Sequence, residues 1–115
     1  MTISTTTLKN AAFAIEHDLW TDSDGCNYLV KDGAILRRWE PEHDDGDALR
    51  LMTALRMDIK FLDGFKQVLC WASYDRSHVN THGIVGYGEG TSPLPTAMNV
   101  RVAILLAASQ IGAAI

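Results

Sequence analysis

The chain has 115 residues, the size of one ordinary domain, and its 47% hydrophobic and 21% charged composition is that of a folding chain, not a disordered one. A net charge of -4, with Arg37-Arg38 as the one basic doublet, argues against a protein that grips nucleic acid through its phosphates. Acidity does not exclude a small anionic ligand, because a local group of backbone amides can oppose the global charge.

In chain order, Leu8, Ala11, Ala12, Ile15 and Leu19 keep a helical rhythm and predict an amphipathic helix over residues 6–19, capped by Thr5, Thr6 or Thr7. Turn formers in "TDSDG" end it. Two β-prone runs around Asp32-Gly33 predict a hairpin over 26–39. Ala48, Leu51, Met52, Leu55 and Ile59 then trace a second helical face. Asp44 is its expected N-cap, and Asp45 and Asp47 lie in a first turn that favours negative charge.

Two strands are expected around Asp63-Gly64, the second with Val68, Cys70 and Ala72 on one face and Leu69 and Trp71 on the other. The polar stretch "RSHVNTHG" reads as a loop and "IVGYG" as a short strand at 84–88. Residues 95–111 form a helix that is apolar on nearly every side, so it is expected to be buried in the monomer or in a homo-oligomer contact. Tight turns between neighbouring strands favour an α+β class over a parallel sheet: a small antiparallel sheet covered by helices, an α-β-α sandwich, in a single domain over 1–115.

Cys26 and Cys70 are 44 positions apart and match no zinc spacing, so they are expected as a reduced, buried pair. The N-terminal "MTISTTTLKN" lacks the basic start and apolar region of a secretory leader. The apolar run Val102–Ile115 covers 14 residues, short of the ~20 needed to span a membrane. The expected location is cytoplasmic.

The densest polar cluster, "EPEHDDGD", lacks the alternating oxygen donors of a calcium loop and reads as helix capping and solvated acidity; no metal and no cofactor are expected. A second cluster, Asp75, Arg76, Ser77, His78, Asn80 and His82, offers polar ligand contacts or acid–base groups, with Tyr74 and Tyr87 flanking it as pocket-lining candidates. Trp20, Trp39 and Trp71 read as core, Trp71 most strongly. The stretch "GYGEGTSP" is neither a P-loop nor a dinucleotide fingerprint and reads first as a strand-to-helix joint, with Thr91 or Ser92 as cap. Gly88, Gly90, Thr91 and Ser92 also offer amides or hydroxyls to an anion, with charge from Arg76 or Arg101. Glu89, Pro93 and Pro95 oppose that role.

The segments "WEPEHDDGDALRLMTAL" and "GEGTSPLPTAMNVRVAILLAA" give a pattern that resembles the phage ABA sandwich domain of NinX-type small phage proteins. The resemblance covers residues 39–109 and is carried by Trp39, Pro41, Asp44, Ala48, Leu51, Thr91, Pro95, Ala97 and the run from Ala103 to Ala108; the N-terminal helix departs from it. It implies an α-β-α sandwich, a phage or prophage origin and a place in the host cytoplasm. Small phage proteins of this kind include accessory factors that counter host defence, some by sequestering cyclic nucleotide signals. The expected function is therefore a non-enzymatic accessory protein that binds a small phosphate-bearing ligand. A metal-assisted hydrolase or nuclease using the 75–82 loop, and an interaction module that blocks a host factor, are the alternatives.

Overall fold

The computed structural model describes residues 3–72, 82–87 and 94–114. Among these, three helices, α1 (Thr5–Ala14), α2 (Asp45–Ala54) and α3 (Ala97–Ala114), accompany six strands, β1 (Asp18–Thr21), β2 (Asn27–Lys31), β3 (Ala34–Arg38), β4 (Met57–Leu62), β5 (Gln67–Ala72) and β6 (His82–Gly86). The fold is α+β with antiparallel strands, as expected. The strands divide between two three-stranded sheets, β1-β2-β3 and β4-β5-β6.

Both of the first two helices end earlier than their hydrophobic rhythm predicts, and for the same reason. After α1, Glu16 takes a left-handed conformation (φ 63), and the Glu16 and His17 amides turn back onto the Phe13 and Ala12 carbonyls. This reciprocal closure normally uses glycine. Leu19 consequently lies in β1, opposite Leu29 of β2. After α2, Arg56 is left-handed (φ 50) and Ile59 falls in β4, paired with Cys70.

The caps differ in how far the sequence anticipates them. Asp44 caps α2 as expected, accepting from the Asp47 N–H at 2.8 Å. For α1 the cap is Ser4, whose hydroxyl accepts from the Thr7 N–H at 3.1 Å, in place of the three threonines that follow. For α3 it is Thr96 in place of Thr91 or Ser92: the Thr96 hydroxyl accepts from the Asn99 N–H at 3.3 Å, and the Asn99 side chain accepts from the Thr96 N–H at 2.7 Å.

The core is organised around α3, which packs on α1, α2, β5 and β6. A Cβ at Gly83 in β6 would overlap the Ala103 carbonyl, and a Cβ at Gly112 in α3 would overlap the Asn10 carbonyl of α1. Ala103 and Gly112 are nine positions apart, about 2.5 helical turns, so they lie on opposite sides of α3. The helix is clasped between β6 and α1. This accounts for its apolar girdle inside one chain: Val102, Ala103, Ile104, Leu105, Ala107, Ala108 and Ile111 are all buried. At 18 residues it is long and apolar enough to cross a membrane by length and composition, a longer apolar helix than the run from Val102 suggests, but it serves here as the central core helix. Gly83 also explains why β6 starts inside the stretch that reads as a polar loop: the strand comes too close to α3 for a side chain.

The β1-β2-β3 sheet is held more lightly. Its support comes from α1 against β1, while neither β2 nor β3 packs broadly on a helix. Leu29 is its one fully buried residue, and all five residues of β3 are exposed. Asp32 (φ 52) and Gly33 (φ 78) form the expected tight turn between β2 and β3. Trp39 continues the strand, its N–H donating to the Asn27 carbonyl at 2.8 Å, and is 1% exposed.

Among the tryptophans, Trp39 is therefore the core residue. Trp71 is half-buried on the face of β5 away from α3, and Trp20 is 48% exposed, tilted against Tyr28 at 5.4 Å between ring centroids. The two cysteines are free but not equally buried: Cys26 is half-buried, while Cys70 is fully buried and donates to the Met57 sulfur at 3.6 Å. Burial pushes the Cys70 thiol up to about 12.

Candidate ligand-binding cleft

Of the residues singled out from the sequence, Tyr74, Arg76, His78, Gly88, Gly90, Thr91 and Ser92 lie outside the described residues. His82, Tyr87 and Arg101 are described, and each anchors a different contact. The His82 N–H donates to the Gln110 side-chain oxygen at 3.0 Å and its carbonyl accepts from the Gln110 amide, tying the start of β6 to the end of α3. The Tyr87 hydroxyl donates to Asp63 at 2.8 Å, and its N–H donates to the Lys66 carbonyl. That bond to a carboxylate, with burial, raises the Tyr87 hydroxyl above its ordinary range.

Arg101 reaches from α3 to α2. Its Nε donates to the Glu42 carbonyl at 3.0 Å and its Nη1 to the Asp45 carboxylate. It also lines a mostly apolar groove of about 390 Å³ between α2 and α3, with Leu49, Met52 and Ile104.

A different constellation forms where the β1-β2-β3 sheet stands away from α2. The irregularity begins in the strand register: Leu29 pairs with Arg37 and Val30 with Ile35, which leaves Leu36 as an extra residue on β3. A β-bulge of this kind breaks the alternation of side chains and re-aims one of them. Leu36 and Arg37, which would otherwise point to opposite faces, both line one hollow with Leu29. The hollow measures about 410 Å³ and is completed by Ile15 and His17 after α1, by Trp39, and by Arg50, Leu51 and Ala54 of α2. A second, charged hollow of about 410 Å³ adjoins it through Arg37 and Arg50, and is lined by Arg38, Glu40, His43, Asp44 and Asp47. The result is a cleft with an apolar half and a polar half.

The charges along it are mostly spent. Asp47, read from the sequence as solvated, is 5% exposed; its Oδ2 accepts from the Glu40 N–H at 2.9 Å and its Oδ1 from Arg50 at 2.7 Å. Arg50 also lies 3.9 Å from Asp44. Arg38 donates to Glu40 at 3.3 Å. Arg37 is different: it has no hydrogen-bond or ion-pair partner among the described residues.

His17 Nδ1 lies 2.6 Å from the Ile15 carbonyl, and since a carbonyl only accepts, Nδ1 is the donor in this bond. Nearby, Glu42 has a buried carboxylate oxygen without a hydrogen-bond partner among the described residues, and burial raises its carboxyl above the ordinary range. Among the described residues, no three His, Cys, Asp or Glu side chains are grouped as metal ligands.

No family model, curated protein or solved structure matches the chain. The resemblance to the phage sandwich domain rests on the residues quoted for it. The sequence marked Arg37 only as half of a basic doublet, and nothing in "AILRRW" announces the bulge that turns Leu36 and Arg37 to one side.

Proposed function

We propose that the protein acts by binding, and that the cleft between the β1-β2-β3 sheet and α2 holds a ligand with one anionic group beside an apolar body. The observation that carries this reading is the delivery into one hollow, floored by Leu29, Trp39 and Leu51, of Leu36 and of Arg37, which is unpaired among the described residues. A guanidinium matches a carboxylate or phosphate through two parallel hydrogen bonds, and is less strongly hydrated than an ammonium, so it gives up its water more readily. The apolar floor adds about 2.5 kcal/mol for every ~100 Å² of apolar ligand surface it covers. Serine, cysteine and threonine are missing from the described lining of the apolar half, so nothing there offers a hydroxyl or thiol nucleophile beside His17.

The proposal keeps the setting expected from the sequence: a phage accessory protein in the host cytoplasm that counters host defence, with a nucleotide-type compound as one candidate ligand. What supports that setting is the pattern over residues 39–109; what supports such a ligand is the match of one anionic group to Arg37. The test is thermal-shift screening against cyclic and linear nucleotides and short acyl carboxylates, repeated with Arg37→Ala. A ligand at 100 times its dissociation constant adds about 2.7 kcal/mol. The expected result is a shift that the substitution removes; melting temperatures indifferent to every compound, or shifts that survive Arg37→Ala, overturn the reading.

A further inference from the structure

We infer that the cleft's partner is an extended peptide that adds as a fourth strand along β3, placing an apolar side chain in the hollow and a carboxylate on Arg37. This rests on the reading of the cleft given above and supplies one carrier for both of its halves.

The first observation is the open edge. β3 is the outer strand of its sheet, pairs only with β2 among the described residues, and exposes all five of its residues, including Ile35 at 56% and Leu36 at 52%. An edge like this presents unpaired backbone donors and acceptors, which an extended chain satisfies while alternate side chains supply specificity. The second observation is where those side chains would go. Leu36 and Arg37 line the apolar hollow and Arg38 joins Arg37 in lining the charged one, while across the sheet Arg38 is in register with Tyr28 and Trp20. Alternate residues of an added strand would therefore face the cleft.

The third observation is charge. The edge carries two arginines and no acid between Ala34 and Arg38, and Arg37 is unpaired among the described residues. A second copy pairing antiparallel about Leu36 would gather four guanidinium groups on one short ladder. An acidic strand reverses that repulsion. The edge is thus blunted against itself and left suited to a β-prone peptide with a single aspartate or glutamate two residues from a leucine or valine, so that both side chains fall on one face.

The experiment uses fluorescent hexapeptides of that pattern in three sets: with one aspartate or glutamate, with lysine in its place, and the acidic set methylated on the backbone amides of one edge. Anisotropy titrations are run against the full chain and against Arg37→Glu. Acidic peptides are expected to bind; methylation of one edge is expected to weaken them at least tenfold, and Arg37→Glu to reverse the preference toward lysine. Equal binding of methylated and unmethylated peptides, or no peptide binding at all, overturns the added strand. If acyl carboxylates or nucleotides still shift the melting temperature through Arg37 in that case, the cleft reading survives alone; if nothing binds through Arg37, both fall. A concentration-dependent dimer in light scattering that Ile35→Pro abolishes would assign the edge to a second copy and overturn the peptide.

Discussion

The β4-β5-β6 sheet lies so close to α3 that Gly83 has no room for a methyl group, while the β1-β2-β3 sheet leaves an open cleft beside α2 and a fully exposed outer strand. Both are three-stranded and antiparallel. What separates them is whether a helix covers a face. The covered sheet commits its apolar residues to the core, with Val68 and Cys70 fully buried, and retains little that a ligand can reach from that side. The uncovered sheet contributes Leu29 and the adjoining Trp39 to the core and keeps Leu36, Arg37 and Trp20 accessible. Stability and availability are thus assigned to different sheets of one small fold.

The largest expected effect falls where the two regions meet. Trp39→Ala should cost about 4 kcal/mol in urea unfolding, because the ring is fully buried. Trp20→Ala, in the exposed part of the same sheet, should cost less than about 1 kcal/mol. Similar losses for the two would erase the distinction. Next, Gly112→Ala, normally favourable within a helix, should destabilise by about 3 kcal/mol because α1 and α3 must separate to admit a methyl group.

Asp47→Ala removes the acceptor for the Glu40 N–H and the partner of Arg50, and should cost about 2 kcal/mol by denaturant titration. Glu42→Gln should act in the opposite direction. The folded carboxyl is raised by burial, so ionising it opposes folding: the penalty is absent below the ordinary carboxylate range and grows as pH rises through the raised value. The substitution should therefore stabilise by about 1 kcal/mol at pH 7, with the gain shrinking toward zero at pH 4 in paired urea curves. Smallest for stability, Arg37→Ala should change it by less than about 0.5 kcal/mol while abolishing binding, since the side chain is exposed and unpaired among the described residues.

The parts of the fold legible in the sequence are those fixed by neighbours along the chain. Asp44 caps α2 three residues before its partner amide, and Asp32-Gly33 turns the β2–β3 hairpin within two residues. The ends of α1 and α2 were hidden because Glu16 and Arg56 take left-handed conformations without glycine to announce them. Leu19 and Ile59 continue a helical rhythm but serve strands instead. The cleft was hidden for a longer-range reason. It depends on the register of β3 against β2 and on the distance of both from α2, neither of which leaves a mark in "AILRRW".

The two cysteines turn this division into something that can be timed. Cys26 adjoins β2 in the lightly held sheet, and Cys70 sits in β5 with its sulfur against Met57. A thiol reagent reaches a buried cysteine only when its surroundings open, so labelling rates report local opening free energies. With a thiol raised to about 12, Cys70 also contributes almost no thiolate at neutral pH while folded. The native chain therefore carries two thiols of different access: half-buried Cys26 beside β2 should label readily, while Cys70 reports the rarer openings that dismantle the core.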